Sequence, residues 1–286
     1  MSKNNVYLNG SIVPAEEAAV SVFDAGFLHG ASVFTTLLGH NGAAFRLDRH
    51  LARLLATAER IGLSHGATAE ELTAAVAELL GANELSEAWI RITLSPGSVA
   101  REGPATTVVT ASPLENLAWW YERGVGVIVS GVRQYEGDLT TGVKTGCYLA
   151  RVLGRQAAAA AGADEALWFT TDGHLAEACF CNVFLVRGGE VHTPPVDTPV
   201  LPGIVREAVL ELCEKLGIAA HADALLAGED VGAVEEMFLT SSCAGVRPVV
   251  RVQRRPVGDE KPGPITRKIL AAYRELLDQE CPPGEQ

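Results

Sequence analysis

Apolar and polar positions along the chain fall into two rhythms. Near the start, "VYLNGSIV" and "SVFTTLLGHNGAAFRL" read as alternating strands, with glycine and asparagine marking the turns. The rhythm then lengthens. In "RHLARLLATAERIGL" Leu51, Leu54, Leu55 and Ala58 share a helical face, and "TAEELTAAVAELLGA" predicts a second helix, with Thr68 as N-cap and Glu71 three residues on. Strands "AWIRITLS" and "ATTVVTAS" follow, and the stretch "PLENLAWWYERG" reads as a connector before "VGVIVSGVR" opens a new strand set. Beyond it the pattern predicts a helix over 149–162, strand "EALWFT", turn "TDG", a single strand "HLAEACFCNVFLV", turn "RGGE" and short strand "VHT". Helix "IVREAVLELCEKLG", strand "EMFLTSS", a hairpin around "QRRPVGD" and a final helix "GPITRKILAAYRELLDQ" complete the chain. No internal repeat is visible. Strands and helices mixed without a regular βαβ alternation predict an α+β fold. The expected division is a small N-terminal domain over 1–115, a connector over 116–124 and a larger domain over 125–286.

Composition narrows the function classes. A chain of 286 residues, 48% hydrophobic and without an apolar run near 18 residues, is expected to form one large or two small globular domains and not to span a membrane. The opening "MSKNNVYLNG" lacks the basic and apolar regions of a signal peptide, so a cytoplasmic location is expected. A formal net charge of −12 argues against nucleic acid or anionic membrane as partner, since either needs a basic face. An anionic ligand must then be held by a few local donors. The six cysteines at 147, 179, 181, 213, 243 and 281 form no CxxC pair, which predicts reduced thiols and no metal site built on them.

Phosphate-loop, dinucleotide, zinc-protease and serine-hydrolase motifs are all missing. What stands out is Lys144 in "GVKTGCYLARVLG", between Gly142 and Gly146, with no carboxylate within five residues. Glycines let a backbone approach a ligand closely, and a lysine amine forms Schiff bases with carbonyl compounds, pyridoxal phosphate among them. The competing reading is a lysine that solvates a loop. Glu177 lies in an otherwise apolar strand, where an unpaired carboxylate would be costly, so it is expected to have a partner.

The combination "K...YL...R...A...GADEAL...G.LAEA...NVFLV", with "HxxRL" upstream and "LPGIVREAVLEL" and "FLTSSCAGVRPV" downstream, resembles the class IV, fold-type IV pyridoxal phosphate enzymes over nearly the whole chain. These include branched-chain and D-amino-acid aminotransferases and aminodeoxychorismate lyase. The resemblance implies two α/β domains with the cofactor at their interface, and a homodimer. It implies that Lys144 carries pyridoxal phosphate, Glu177 faces the pyridine nitrogen, and Arg53, Gly203, Ile204, Val205, Ser241 and Ser242 hold the phosphate. Tyr148 is placed against the cofactor, one residue closer to the lysine than its branched-chain counterpart.

On the substrate side the resemblance points to His29, Phe34, Thr36, Arg101, Cys243 and Ala244. His29 and Phe34 stand where branched-chain and D-amino-acid enzymes respectively carry tyrosine. Thr36 follows the lyase pattern, and Arg101 matches a carboxylate-binding arginine inside an incomplete loop motif, "SPGSVAREG". Three readings therefore stand: an aminotransferase acting on an amino acid and a 2-oxo acid, a lyase releasing pyruvate and 4-aminobenzoate, and a non-catalytic binding protein on the same fold.

Overall fold

The computed structural model describes residues 4–98, 103–114 and 118–284. The chain divides into two compact units, one made of residues 1–115, 144–147 and 276–286, the other of 116–143 and 148–275.

The first unit is built on a six-stranded sheet in the order β2-β1-β6-β5-β3-β4. Its strands are β1 (Asn5–Leu8), β2 (Ser11–Pro14), β3 (Val33–His40), β4 (Ala43–Ala44), β5 (Ala88–Ser95) and β6 (Thr106–Pro113), and every pairing among them is antiparallel. A short helix α1 (Ala25–His29) precedes β3, and two longer helices, α2 (Leu47–Arg60) and α3 (Ala69–Ala82), follow β4. The expected amphipathic faces bury together: Leu51, Leu54 and Ala58 of α2 and Leu72, Val76 and Leu79 of α3 pack on Leu37, Ile90, Ile92 and Val109 of the sheet. Thr68 and Glu71 form the anticipated capping box, each side chain bonded to the other residue's amide.

Strand alternation then decides which face each β3 residue serves. Val33, Thr35 and Leu37 point to the helices, so Phe34 and Thr36 point to the opposite face. Residues 144–147 join this unit through β3: the Phe34 amide donates to the Lys144 carbonyl at 2.9 Å, and Val33 bridges Thr145. Residues 276–281 join it through the Arg46–Glu280 ion pair at 2.9 Å and the His40–Asp278 contact at 2.8 Å.

The second unit contains α4 (Ala118–Arg123), β7 (Val125–Gln134), α5 (Leu149–Ala160), β8 (Glu165–Thr170), β9 (Leu175–Ala178), β10 (Asn182–Arg187) and β11 (Glu190–His192). It continues with α6 (Ile204–Leu216), β12 (Ala220–His221), α7 (Gly228–Gly232), β13 (Glu236–Ser241), β14 (Gly245–Val252), β15 (Arg255–Pro256) and α8 (Pro264–Glu280). Eight strands run β12-β11-β10-β13-β14-β7-β8-β9, and β15 pairs with β14. Pairing is mixed: β11/β12, β14/β7 and β7/β8 are parallel, the rest antiparallel. Leu167, Val183, Leu185, Met237 and Leu239 form its principal core.

One expected element is corrected. The run 174–186, which reads as one strand, is two, with a turn at 179–181 closed by the Ala178 amide on the Cys181 carbonyl at 2.7 Å. β9 pairs with β8 and β10 with β13. All residues of β9 and all but the last of β10 are buried, so an unbroken apolar run conceals the break.

Candidate active site

In the first unit the chemistry gathers around β3. Lys144, half-buried, has its backbone fixed to Phe34 and carries its Nζ 4.7 Å from the centre of the Phe34 ring. The Arg91 guanidinium lies over the same ring at 3.6 Å. Thr36 pairs in register with Arg91, so Phe34, Thr36 and Arg91 share one face of the sheet. Through the sheet, Thr35 bonds His50 Nδ1 at 2.7 Å and accepts from Arg53 Nη2 at 3.2 Å. His50 and Arg53 project from α2 at positions i and i+3, the spacing that puts both on one side of a helix. Neither Thr35 nor Arg91 stands out in the sequence; the period-two pattern of β3 and β5 is the signal that places them.

His50 is buried, and that burial, with the charges of Arg53 and Lys144, pushes its pKa down to about 3. The imidazole is therefore neutral at neutral pH. The unfolded chain binds a proton at this position below about 6.5 while the folded chain does not, so His50 contributes stability above that pH and withdraws it as the pH falls toward 3. The contribution to the slope approaches about 1.4 kcal/mol per pH unit within the window. Urea unfolding of the wild type is expected to weaken between pH 7 and 5, and a His50→Gln variant to lose less over the same interval. Equal losses in the two proteins would contradict the assignment.

His29, the last residue of α1, is exposed. That helix is fixed by Asp24, whose buried carboxylate accepts from the Gly26 amide at 2.7 Å, from Ser95 Oγ at 2.7 Å and from Thr106 Oγ1 at 2.6 Å. Gly30 caps its C-terminus in the left-handed conformation. Arg101 lies outside the described residues.

In the second unit, Glu177 of β9 is buried and has found its partner. One carboxylate oxygen accepts from the Arg151 guanidinium and the other from the Leu201 amide at 3.1 Å. Arg151 also donates to the carbonyls of Ala178 and Cys179, at 3.1 and 3.0 Å, holding the turn that separates β9 from β10. Burial alone would lower the Arg151 pKa; Glu177, together with Tyr148 and Cys179, turns the net direction upward, so the guanidinium stays charged. Arg151 is the residue the sequence reading passed over, although it stands three positions after Tyr148. Tyr148 is the N-cap of α5, with its ring stacked on Phe180 at 5.7 Å and the Arg151 guanidinium 5.7 Å away.

The start of α6, which follows the Leu201 amide bonded to Glu177, offers donors that could hold an anion. Gly203 is the N-cap of α6 and offers no side chain, so no side-chain cap covers the first-turn amides, which begin at Ile204 and Val205. A Cβ on Gly203 would stand 2.0 Å from Asn182 Oδ1, so this close approach requires glycine. Asn182 in turn donates to the Leu201 carbonyl at 2.9 Å, tying the 201–203 segment to β10. In register, Asn182 pairs with Thr240 of β13, one residue before Ser241. Ser241 Oγ accepts the Ala244 amide at 3.3 Å, and Ala244 O accepts from Tyr121 Oη at 2.9 Å, which shapes the turn containing Ser242 and Cys243. The Leu201 and Asn182 hydrogen bonds and the β10/β13 register thus link Glu177, the α6 N-terminus and the β13–β14 turn. A carboxylate beside backbone and hydroxyl donors suits a ligand with a basic ring nitrogen and a phosphate.

Comparison with known proteins identifies the family. The sequence profile of the amino-transferase class IV family matches residues 32–252. The chain is 30% identical over 278 residues to a D-alanine aminotransferase of Bacillus licheniformis, covering 95% of this chain and 96% of that one. It superposes with a TM-score of 0.91 on the Escherichia coli branched-chain amino acid aminotransferase, at 27% identity, covering 97% and 96% of the two chains. A second branched-chain amino acid aminotransferase, from T.th. and solved with pyridoxamine 5'-phosphate, matches with a TM-score of 0.90 at 28% identity, covering 98% and 96%.

Proposed function

The chain belongs to the class IV aminotransferase family, enzymes that exchange an amino group between an amino acid and a 2-oxo acid using pyridoxal phosphate, and from that premise we propose how its own residues divide the work. The observation that carries the assignment is the buried Glu177–Arg151 pair, linked through the Leu201 amide to the uncapped α6 N-terminus. When bound, the cofactor supplies an electron sink for the charge that builds at the substrate Cα.

Lys144 would hold the cofactor through its amine, and its Nζ would be the group that takes the proton from the substrate Cα and returns one. Glu177, positioned by Arg151, holds a proton on the ring nitrogen. The amides of Ile204 and Val205, the hydroxyls of Ser241 and Ser242 and the Arg53 guanidinium bind the phosphate, and the His50–Thr35 pair orients Arg53. Phe34, Thr36 and Arg91 supply the substrate-facing surface, with His29, Cys243 and Ala244 as further candidates; Arg101 is proposed for the substrate carboxylate. Tyr148 packs beside the cofactor ring.

The test is direct. Borohydride treatment of purified protein is expected to fix the cofactor to the peptide containing Lys144, and a panel of L- and D-amino acids with a 2-oxo acid acceptor is expected to yield the new oxo acid. Label on Lys3, Lys215, Lys261 or Lys268, or release of pyruvate and 4-aminobenzoate from aminodeoxychorismate with no transfer to any oxo acid, would overturn the reading. A homodimer is proposed as well. The exposed apolar run Val20, Val22, Phe23, Phe27 and Leu28, with Phe27 72% exposed, supports a covering partner. Sedimentation as a monomer at micromolar concentration would argue against it.

A further inference from the structure

We propose that Glu190, His192 and His221 form a site for a divalent transition-metal ion, with zinc the best match, at the outer edge of the eight-stranded order of the second unit. Three features of the backbone build it. Glu190 and His192 are two residues apart on β11, so strand alternation turns both side chains to the same face. β12 is the edge strand and runs parallel to β11, with His192 and His221 as register partners. The two imidazoles are consequently stacked, with ring centres 4.8 Å apart and planes inclined by 18°.

The side chains already converge. His221 Nε2 lies 2.9 Å from Glu190 Oε2, and one ligand atom from each of the three residues lies within 4.8 Å of the others. Four-coordinate zinc, with bonds of about 2.0 to 2.1 Å, needs its donors about 3.3 Å apart. The side chains that would close that difference are exposed (Glu190) or half-buried (His192, His221), which leaves them room to rotate. Two imidazoles and one carboxylate make a nitrogen and oxygen set that suits zinc, nickel or copper over magnesium or calcium, and three protein ligands leave one position for water. The nearby Arg187 is paired with Asp230, which offsets part of the charge it would set against a cation.

None of the three residues belongs to the cofactor or substrate machinery assigned above, so ion binding here can be measured apart from turnover. The bland account of the cluster is a histidine–carboxylate pair with a stacked neighbour. The two accounts separate on titration of the holoenzyme with Co²⁺, followed by displacement with Zn²⁺.

The expected result is one Co²⁺ per chain, with visible absorption of a four-coordinate nitrogen and oxygen site and no thiolate charge-transfer band. His192→Ala, His221→Ala and Glu190→Gln are each expected to weaken binding at least about tenfold. Their circular dichroism and cofactor absorbance are expected to match the wild type. Zn²⁺ is expected to raise the melting temperature of the wild type and not of His221→Ala. Equal affinity in the wild type and both histidine variants, a thiolate band placing the ion on cysteine, or no saturable binding would each overturn the proposal.

Discussion

Lys144→Ala is expected to lower transamination by roughly 10,000-fold, the upper end of what a positioned proton-transfer group provides. The substitution removes the amine and little else. The backbone of residue 144 is bonded to Phe34 and that of residue 145 to Val33, so alanine keeps the attachments that fix this segment to β3. Cofactor taken up by the variant would no longer be fixed by borohydride to this peptide. A small primary amine such as methylamine, added at high concentration, is expected to restore part of the rate by replacing the missing base. Turnover within tenfold of the wild type would remove Lys144 from the chemistry.

The second large effect is on stability. Arg151→Met is expected to destabilise the fold by about 3 to 5 kcal/mol, the range for stripping a buried charge of its partner. Glu177 is 4% exposed, and without the guanidinium it retains only the Leu201 amide among the described contacts. The turn at 179–181 would also lose the donor shared by the Ala178 and Cys179 carbonyls. Adding Glu177→Gln to the Met variant removes the stranded charge and is expected to recover part of the loss, giving a coupling that a double-mutant cycle measures. Arg151→Lys keeps the charge but cannot reach three acceptors with one planar fork, so it is expected to fall between. Melting temperatures that hardly move in Arg151→Met, or losses that simply add in the double variant, would contradict the account.

Local signals in the sequence carried far. The capping box at Thr68 and Glu71, the shared face of Leu51, Leu54 and Ala58, and the glycine-led start of α6 each depend on residues a few positions apart, and each formed as read. Glu177 announced itself because a carboxylate in an apolar strand demands a partner. Which partner it took depends on the docking of α5 against β8 and β9, and nothing in the spacing from Arg151 to Glu177 reveals that. Thr35 was hidden for a related reason: its role comes from α2 packing beneath β3 and delivering His50 and Arg53 to it. The break after Ala178 was hidden because buried strands on both sides of it have the same apolar composition.

The first unit is assembled from three separated lengths of chain, and this sets an order of events during synthesis. Residues 1–115 contain all six strands of that unit's sheet and both of its long helices, so most of its core can close while later residues are still being made. Arg46 and His40 must then wait for Glu280 and Asp278, on the order of ten seconds or more at ribosomal speeds of about 5 to 20 residues per second. Lys144 becomes available in between, after β3 but before α8. The nascent chain therefore acquires Lys144 on a partly closed scaffold, and the last contacts of that scaffold to form are the ion pairs made by the end of α8.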